Sequence, residues 1–367
     1  MIKKHTSQLQ PSCQLRWGDF SDLHTLSGLQ ALDAKFVDYI TVHEPDWAAR
    51  LQQIREQRLS IAPADYTDLI LVLAPYLERF LLDLFSIDLA ELADTYQDSD
   101  NRMLLRQHFF QLVDKKHYQP TLSLSYNEVA TWLRQQVPLL EEDVARYAAM
   151  ILQNEDEQAI ERLRLWCYYV IKDSSLFTQL TDWYAPWRPE KIQPLAVAAD
   201  LDVNNSWRTQ RNSPYQRDSF ALVNAAMPVE QISLHNHYCV TCHDKKVDYC
   251  RSGFHKKKAD PNAGYREDRH EQQMHGCPIN QKISEMHWLK QKGFHLAALI
   301  AVMIDNPLCA LTGHRICNDC MRSCIYQKQE PVDTPQVESR ILTDILSLPW
   351  GVEIYSLLMQ WHPLRLD

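Results

Sequence analysis

The sequence lacks long apolar runs. No segment approaches the roughly 18 uncharged residues that a membrane-spanning helix needs. The N-terminal stretch MIKKHTSQLQPSCQ carries positive charge, but no hydrophobic region follows it, as a secretory signal would require. We therefore expect no membrane insertion and a cytoplasmic location.

Glycine is scarce, with 8 residues in 367. No three of them fit the G-x-G-x-x-G pattern or a phosphate-binding loop, whose glycines let the backbone approach the phosphates. The sequence therefore predicts no nucleotide site within this chain.

An excess of positive charge is also missing. The formal net charge is -9, whereas nucleic-acid binding needs a basic face that displaces counterions from phosphates. We expect no nucleic-acid partner.

Apolar residues are abundant, and in the first half of the chain they follow helical spacing. Leu26, Leu29, Leu32, Phe36 and Ile40 lie three or four residues apart, which predicts that they share one face of a helix. Similar stripes run through residues 73–84 and 139–151, and no alternating strand pattern of useful length appears. The sequence predicts an all-α fold.

Changes in residue composition along the chain indicate four segments. A helical N-terminal domain is expected over residues 1–185 and an irregular linker over 186–230. A cysteine-rich domain follows over 231–350, with a last segment at 351–367. Within the cysteine-rich domain, a helical hairpin is predicted from Ile283 to Asp305, with a break at Gly293. A further helix is predicted with Thr334 as its N-cap.

Cysteines give the strongest functional signal. Eight of the ten lie between positions 239 and 324, whereas Cys13 lies in the N-terminal tail and Cys167 lies in an apolar run typical of a core. A reducing cytoplasm favours metal ligands or packed thiols over disulfides. Seven of the eight form two groups at the ends of the predicted hairpin, with the spacing Cys239-x2-Cys242-x7-Cys250, then Gly276-Cys277-Pro278, then Cys317-x2-Cys320-x3-Cys324.

Spacing alone leaves alternatives open. Short x2 and x3 spacings suit iron-sulfur clusters, and a cysteine followed by proline occurs in ferredoxins, where it binds the other cluster. Zinc is an alternative, with help from His235, His237 or His243, which are otherwise expected on the surface near a charged loop. The C-x-x-C-H sequence at Cys239 also matches haem attachment, which the missing signal peptide disfavours.

Ordered motifs over about 110 residues also suggest a family. They are the C-x2-C start, Gly276-Cys277-Pro278, the hairpin, Asn306-Pro307, TGHRIC ending at Cys317, and Glu330-Pro331-Val332. In these motifs the stretch from His237 to Leu348 resembles the N-terminal iron-sulfur domain shared by the glutamate synthase small chain and dihydropyrimidine dehydrogenase. It is also similar to long bacterial FAD-dependent, NAD(P)-binding oxidoreductases with a helical N-terminus.

The resemblance implies an α-helical, ferredoxin-like domain that binds two [4Fe-4S] clusters. It implies one cluster on Cys239, Cys242, Cys250 and Cys324, and a second on Cys277, Cys317, Cys320 and Glu338. It leaves Cys309 without a ligand role, as a packed thiol.

The resemblance also implies a function in electron transfer. The chain would relay single electrons between a flavin and a remote acceptor or active site. FAD and NAD(P)H would bind to a reductase domain in cis or in trans, with residues 351–367 leading into that missing domain. The chain alone is not expected to be catalytic, and it could form an oligomer. A zinc-stabilised protein-interaction module with a helical partner-binding domain is the alternative.

One segment departs from that family pattern. Between Cys250 and Cys277 lie 26 residues, with six basic side chains against four acidic ones. A solvated loop is the simpler interpretation. The other is a docking surface for an acidic partner domain.

Overall fold

The computed structural model describes residues 19–57, 61–115, 118–184, 189, 199–201, 207–209, 226–245, 247–257, 260–268, 271–313 and 317–366. Cys13 and most of the expected linker lie outside these ranges. The described part is mainly helical, which confirms the all-α prediction. A ferredoxin-like two-cluster domain, the finer part of that prediction, stays a prediction.

The first half of the chain is a series of helices. In chain order they are α1 (Leu26–His43), α2 (Pro45–Gln57), α3 (Pro63–Phe85), α4 (Ala90–Leu105), α5 (Gln111–Lys115), α6 (Tyr126–Gln136), α7 (Glu141–Gln153), α8 (Glu157–Lys172), α9 (Ser174–Gln179) and α10 (Thr181–Tyr184). A short 3-10 helix, Phe20–His24, precedes α1, and a π-helical turn, Arg106–Phe110, follows α4. Side chains fix several starts: Thr25 accepts a hydrogen bond at the start of α1, and Ser125 and Glu128 form a capping box at α6.

Shorter elements dominate the second half. The helices are α11 (Val229–Tyr238), α12 (Tyr249–Ser252), α13 (Ile283–Gln291), α14 (His295–Asp305), α15 (Cys309–Thr312), α16 (Asp319–Arg322), α17 (Thr334–Leu346) and α18 (Gly351–Gln360). Two small antiparallel hairpins are present, β1 (Ala199–Leu201) with β2 (Trp207–Thr209), and β3 (His255–Lys257) with β4 (Asp260–Tyr265).

The two helix predictions in this half agree closely with the structure. The expected hairpin is α13 and α14, joined through Gly293, which has a φ of 82°. The expected later helix is α17, but its N-cap is Asp333, whose side chain accepts from the Gln336 N–H. Thr334 is therefore the first helical residue, because the preceding aspartate provides the capping oxygen.

Two hydrophobic cores organise these helices. The first takes residues from both sides of the boundary expected near residue 230, packing α1 and α3 against α13, α14, α17 and α18. The Phe36 ring lies 5.4 Å from that of Phe80 and 6.1 Å from that of Trp361. The second core lies among the π-helical turn and α5 to α8 and includes Cys167, which is fully buried as expected. Helix α4 contacts both α7 and α11 and so joins the two halves.

Helix α14 lies at the centre of the first core, buried from His295 to Ile304. Its ends are stabilised by side chains of opposite charge from elsewhere in the chain. Glu78 Oε2 on α3 accepts from the Ala297 N–H at 2.7 Å. At the other end, Arg365 donates to the carbonyls of Met303 and Ile304. A carboxylate at the N-terminus and a guanidinium at the C-terminus complement the helix dipole and bind groups that the helix itself leaves unpaired.

Glu78 should make stability depend on pH. Burial raises the pKa of its carboxyl from 4.5 to about 7, although the N–H groups of Ala297 and Leu296 favour the charged form. Between these values the folded chain holds a proton that the unfolded chain has lost, so stability falls as pH rises from 4.5 to about 7. Glu78→Gln can still accept these hydrogen bonds but does not titrate. We expect it to abolish this pH-dependent loss in the free energy of unfolding, which is on the order of 3 kcal/mol. Urea unfolding at several pH values measures this effect.

The control for this prediction is Asp68→Asn, which changes an exposed acid on the same helix. It should leave the slope of stability against pH unchanged. If Glu78→Gln keeps the wild-type slope, the buried carboxyl is not its source.

Across the described ranges no single helix is long and apolar enough to cross a membrane. The pair Thr334–Leu346 and Gly351–Gln360 meets the criterion only when joined, and it is bent by 113°.

Candidate functional site

Short, irregular segments carry the cysteines. Cys239 follows the last residue of α11, Cys242 opens a 3-10 helix, and Cys250 lies in the four-residue α12. Asp248 caps α12 by accepting from the Arg251 N–H. Frequent changes of backbone direction allow neighbouring thiols to face one point, which a straight helix or strand would not.

The structure brings Cys239, Cys242, Cys250 and Cys324 together; we call these four the first group. The Cys250 thiol is hydrogen-bonded to that of Cys324, although 73 positions separate them in sequence. Cys239 and Cys242 are close enough for a negative charge on Cys324 to raise the pKa of each thiol.

Burial is the main cause of the raised pKa values of Cys239 and Cys242, the latter reaching about 11. The hydrogen-bonded pair behaves differently. The Cys250 pKa is raised and the Cys324 pKa is lowered to about 7, because the Cys250 thiol stabilises a thiolate on Cys324. Further donors to Cys324 are the N–H groups of Tyr326 and Val332.

Aromatic rings flank the first group. Tyr238 and Tyr326 stack with their centroids 4.1 Å apart, and both pack in one apolar cluster with Cys324, Cys239 and Cys250. On the other side of Cys250, Tyr249 stacks on Phe254 at 3.9 Å. These rings cover part of the first group, in which Cys239 and Cys250 remain half-buried.

Cys277, Cys317, Cys320 and Glu338 form the second group. Negative charges on Cys277, Cys317 and Glu338 all raise the pKa of Cys320, after the larger effect of burial. The pKa of Cys277 is raised mainly by burial, and further by Cys317 and Glu338. Cys317 is exposed, so this group reaches the surface.

Polar side chains hold Glu338 in the second group. Gln281 Nε2 donates to Glu338 Oε2 at 2.8 Å, and Asn306 Nδ2 lies 3.5 Å from Oε1. Burial raises the pKa of the Glu338 carboxyl, and these two amides oppose that rise. Both amide partners of Glu338 therefore belong to other segments of the chain.

Cys309 lies behind Glu338. Its buried thiol is 3.8 Å from the Tyr355 hydroxyl, and its pKa is raised to about 12, first by burial. Glu338 raises that pKa as well. Cys309 is thus a packed thiol next to the carboxylate, at the position expected for it.

The two groups are joined through the backbone. The Cys277 N–H donates to the Cys250 carbonyl at 2.8 Å, and the Gly276 N–H donates to Ser323 Oγ at 3.0 Å. The 26 intervening residues leave Cys250 and return to Cys277, with the β3–β4 hairpin between them. The insertion therefore does not separate the cysteines that precede and follow it.

The three histidines considered as zinc ligands lie elsewhere than expected. His235 and His237 are buried, not on the surface, because they face neighbouring segments from the last turns of α11. His235 Nδ1 accepts from the Asp333 N–H, and His237 Nε2 lies 3.1 Å from Asp100. His243 Nδ1 lies 2.6 Å from Ser284 Oγ. Each ring therefore has a protein partner.

Within the described ranges, no three His, Cys, Asp or Glu side chains lie close enough to hold one metal ion. The two groups contain four side chains each, with thiols that repel one another as thiolates. A bound cationic centre would stabilise such thiolates. The donors present, thiolates and one carboxylate, are chemically suited to iron-sulfur clusters or to zinc.

Sequence reasoning missed Asp248 and Gln281, and it missed the contact of Asn306 with Glu338. Asp248 could have been recognised as an N-cap two residues before Cys250. Gln281 and Asn306 carry no local signal, because their roles depend on where Glu338 lies.

Comparison with known proteins gives one family match. The model of the RP005 N-terminal alpha-helical domain matches residues 16–86. Two similar proteins come from Rickettsia prowazekii (strain Madrid E). Uncharacterized protein RP006 is 61% identical over 57 residues, which is 16% of this chain and 8% of that protein. Uncharacterized protein RP005 is 24% identical over 290 residues, 74% of this chain and 96% of that protein.

No solved structure matches the chain. The chain spans only a small part of RP006 and nearly all of RP005. These matches overturn the resemblance to the glutamate synthase small chain, dihydropyrimidine dehydrogenase and the FAD-dependent oxidoreductases. That assignment was wrong: short motifs of cysteine, glycine and proline are not specific enough to establish a family. The chain is instead similar to RP005 and RP006, and its residues 16–86 match the RP005 N-terminal alpha-helical domain.

Proposed function

We propose that the chain binds two iron-sulfur clusters and transfers single electrons between them and an outside partner. The observation that carries the proposal is the interleaving of the two groups. Cys324 lies in the first group, although its neighbours in sequence, Cys317 and Cys320, lie in the second. Cys277 lies in the second group, although the preceding cysteine, Cys250, lies in the first. Such an exchange of one cysteine between two sites is typical of two-cluster ferredoxins.

In this proposal the first group holds one cluster through four thiolates. Asp248 starts the short helix that orients Cys250, and N–H groups of Thr241, Tyr249, Tyr326 and Val332 donate to the sulfurs. Hydrogen bonds of this kind stabilise negative charge on sulfur and tune the potential.

The second group would use three thiolates and the Glu338 carboxylate. Gln281 and Asn306 hold that carboxylate in place, and N–H groups of Ile279 and Gln281 donate to Cys277. When bound, an iron-sulfur cluster accepts and releases one electron at a time. A flavin-bearing partner in cis or in trans stays a prediction.

The test is the metal content of the full chain, purified without oxygen. We expect brown protein, visible absorption that dithionite bleaches, and about eight iron and eight sulfide ions per chain, as two [4Fe-4S] clusters require. Colourless protein that carries stoichiometric zinc from iron-replete cells would contradict the proposal and favour the zinc-stabilised interaction module.

A further inference from the structure

A buried network of charged and polar side chains lies where α4 meets the helices of the first core. Lys290 on α13 is at its centre, with 3% of its surface exposed. The side chains around Lys290 come from α4, α14 and α17, and they are Tyr96, Asp100, His295, Arg340 and Asp344. None of these residues belongs to the first or the second group, so the proposed function leaves the network without a role.

The Lys290 ammonium has three close partners, as many as it has N–H bonds. Its Nζ lies 2.6 Å from His295 Nδ1, 3.5 Å from Asp344 Oδ2 and 3.6 Å from the centroid of the Tyr96 ring. His295 accepts this hydrogen bond as a neutral ring, because burial lowers its pKa to about 3. The carboxylate and the ring face both favour a positive charge on the lysine.

Asp344 on α17 extends the network to α4. Its Oδ2 accepts from the Tyr96 hydroxyl at 2.5 Å, and its Oδ1 accepts from Arg340 Nε at 2.6 Å. Asp100, further along α4, lies 3.1 Å from His237 on α11. Because α4 also packs against α7, the network lies at the joint between the two cores.

The environment of Lys290 links its proton to the position of α4. Burial lowers the pKa of Lys290 from 10.5 to about 8, although Asp344 and Asp100 favour the charged amine. Separation of α4 from α13 and α17 returns the amine to water and removes this effect of burial. The protonated amine therefore favours the separated arrangement, and the neutral amine favours the closed one.

We propose that this network is a proton-linked latch on the joint between the two cores. Uptake of a proton by Lys290 favours separation of α4 from α13 and α17, and release of the proton favours closure. Between pH 8 and 10.5 the separated fraction should fall by about tenfold per pH unit, and below pH 8 Lys290 should have no further effect.

Other groups that face Lys290 limit the range in which the latch can be followed. Glu78 on α3, whose pKa burial raises to about 7, and His295, whose pKa burial lowers, both change charge below pH 8. Burial raises the pKa of Tyr96 from 10.0, so ionisation of its hydroxyl near pH 10 favours separation. Lys290 is therefore the group to follow from about pH 8 to about pH 9.5.

Amide hydrogen exchange of the full chain, followed by mass spectrometry from about pH 7 to about pH 9.5, tests the proposal. Hydroxide catalyses this exchange, so the rates of ordinary amides rise throughout. In α4 the falling separated fraction should cancel that rise above pH 8, which leaves its rates about 30-fold below an uninterrupted rise at about pH 9.5. The amides of α4 should also exchange faster than those of α14, because the latch opens without unfolding the first core.

Lys290→Met removes the amine but keeps a side chain of similar length, and the rates of α4 should then rise without levelling. The control Lys292→Met changes an exposed lysine of the same hairpin and should keep the wild-type levelling. Levelling that persists in Lys290→Met would overturn the latch. If that variant does not fold, the wild-type profile decides: rates in α4 that never level, or that equal those of α14 at every pH, would contradict it.

Discussion

Under the proposed function, Gly276→Ala is expected to abolish iron binding at both groups. Gly276 has a φ of 81°, and a Cβ there would lie 2.5 Å from the Gly253 nitrogen and 2.6 Å from the Arg251 carbonyl oxygen. These are backbone atoms of the segment that follows Cys250, so they cannot move without displacing that cysteine. Because Cys277 is the next residue, the clash should disturb the first and second groups together. Iron content and thermal unfolding measure the effect.

Gly264→Ala is the matched control. Gly264 has a φ of 80°, but no atom lies within 4 Å of the added Cβ. It should cost only the strain of a left-handed alanine, about 1–2 kcal/mol, and keep its iron. If Gly276→Ala behaves like Gly264→Ala, close contact of the two backbones is not what holds the groups together.

Phe36→Ala should destabilise the whole first core. The Phe36 side chain is fully buried and meets Phe80 on α3 and Trp361 after α18. Removing a buried phenylalanine typically costs about 3–5 kcal/mol, because a cavity remains. Since this core also contains α14 and α17, we expect faster amide hydrogen exchange there, far from residue 36 in sequence.

Leu26→Ala on the same helix is the control, because Leu26 is 75% exposed. It should change stability little. A Phe36→Ala protein whose α14 and α17 amides remain as protected as in the wild type would show that the N-terminal helices form a separate unit.

The segment that matches the RP005 N-terminal alpha-helical domain has a structural role in this account. Residues 16–86 include Phe36, Thr67 and Glu78. Thr67 Oγ1 donates to Glu285 Oε1 on α13, and Glu78 binds the start of α14. The matched helices therefore support the hairpin at whose ends the cysteines lie.

Much of the fold could be predicted from local patterns. The stripe from Leu26 to Ile40 lies in α1, although Leu26 itself is exposed. Asn306-Pro307 ends α14. Both predictions succeed because apolar spacing and proline act within one or two turns. The spacing of the cysteines indicated a metal site but left zinc and iron open.

The rest depends on contacts between distant segments. No local signal shows that Glu78 and Arg365 bind the two ends of α14. Nor does one show that the Cys277 N–H donates to the Cys250 carbonyl, with 26 residues between them. His235 and His237 looked exposed because their neighbours in sequence are polar, yet α11 turns them toward Asp333 and Asp100. The family assignment was wrong because it relied on short motifs, which do not by themselves indicate common ancestry.

The interleaving of the two groups is tested most directly by single cysteine variants. Cys239→Ser, Cys324→Ser and Cys320→Ser would be purified without oxygen, with Cys167→Ala as a control that removes a buried cysteine outside both groups. We predict that each of the first three loses roughly half of its iron, and that Cys324→Ser loses the same paramagnetic signal as Cys239→Ser. If Cys324→Ser instead loses the signal that Cys320→Ser loses, the cysteines are grouped by sequence and the account is contradicted.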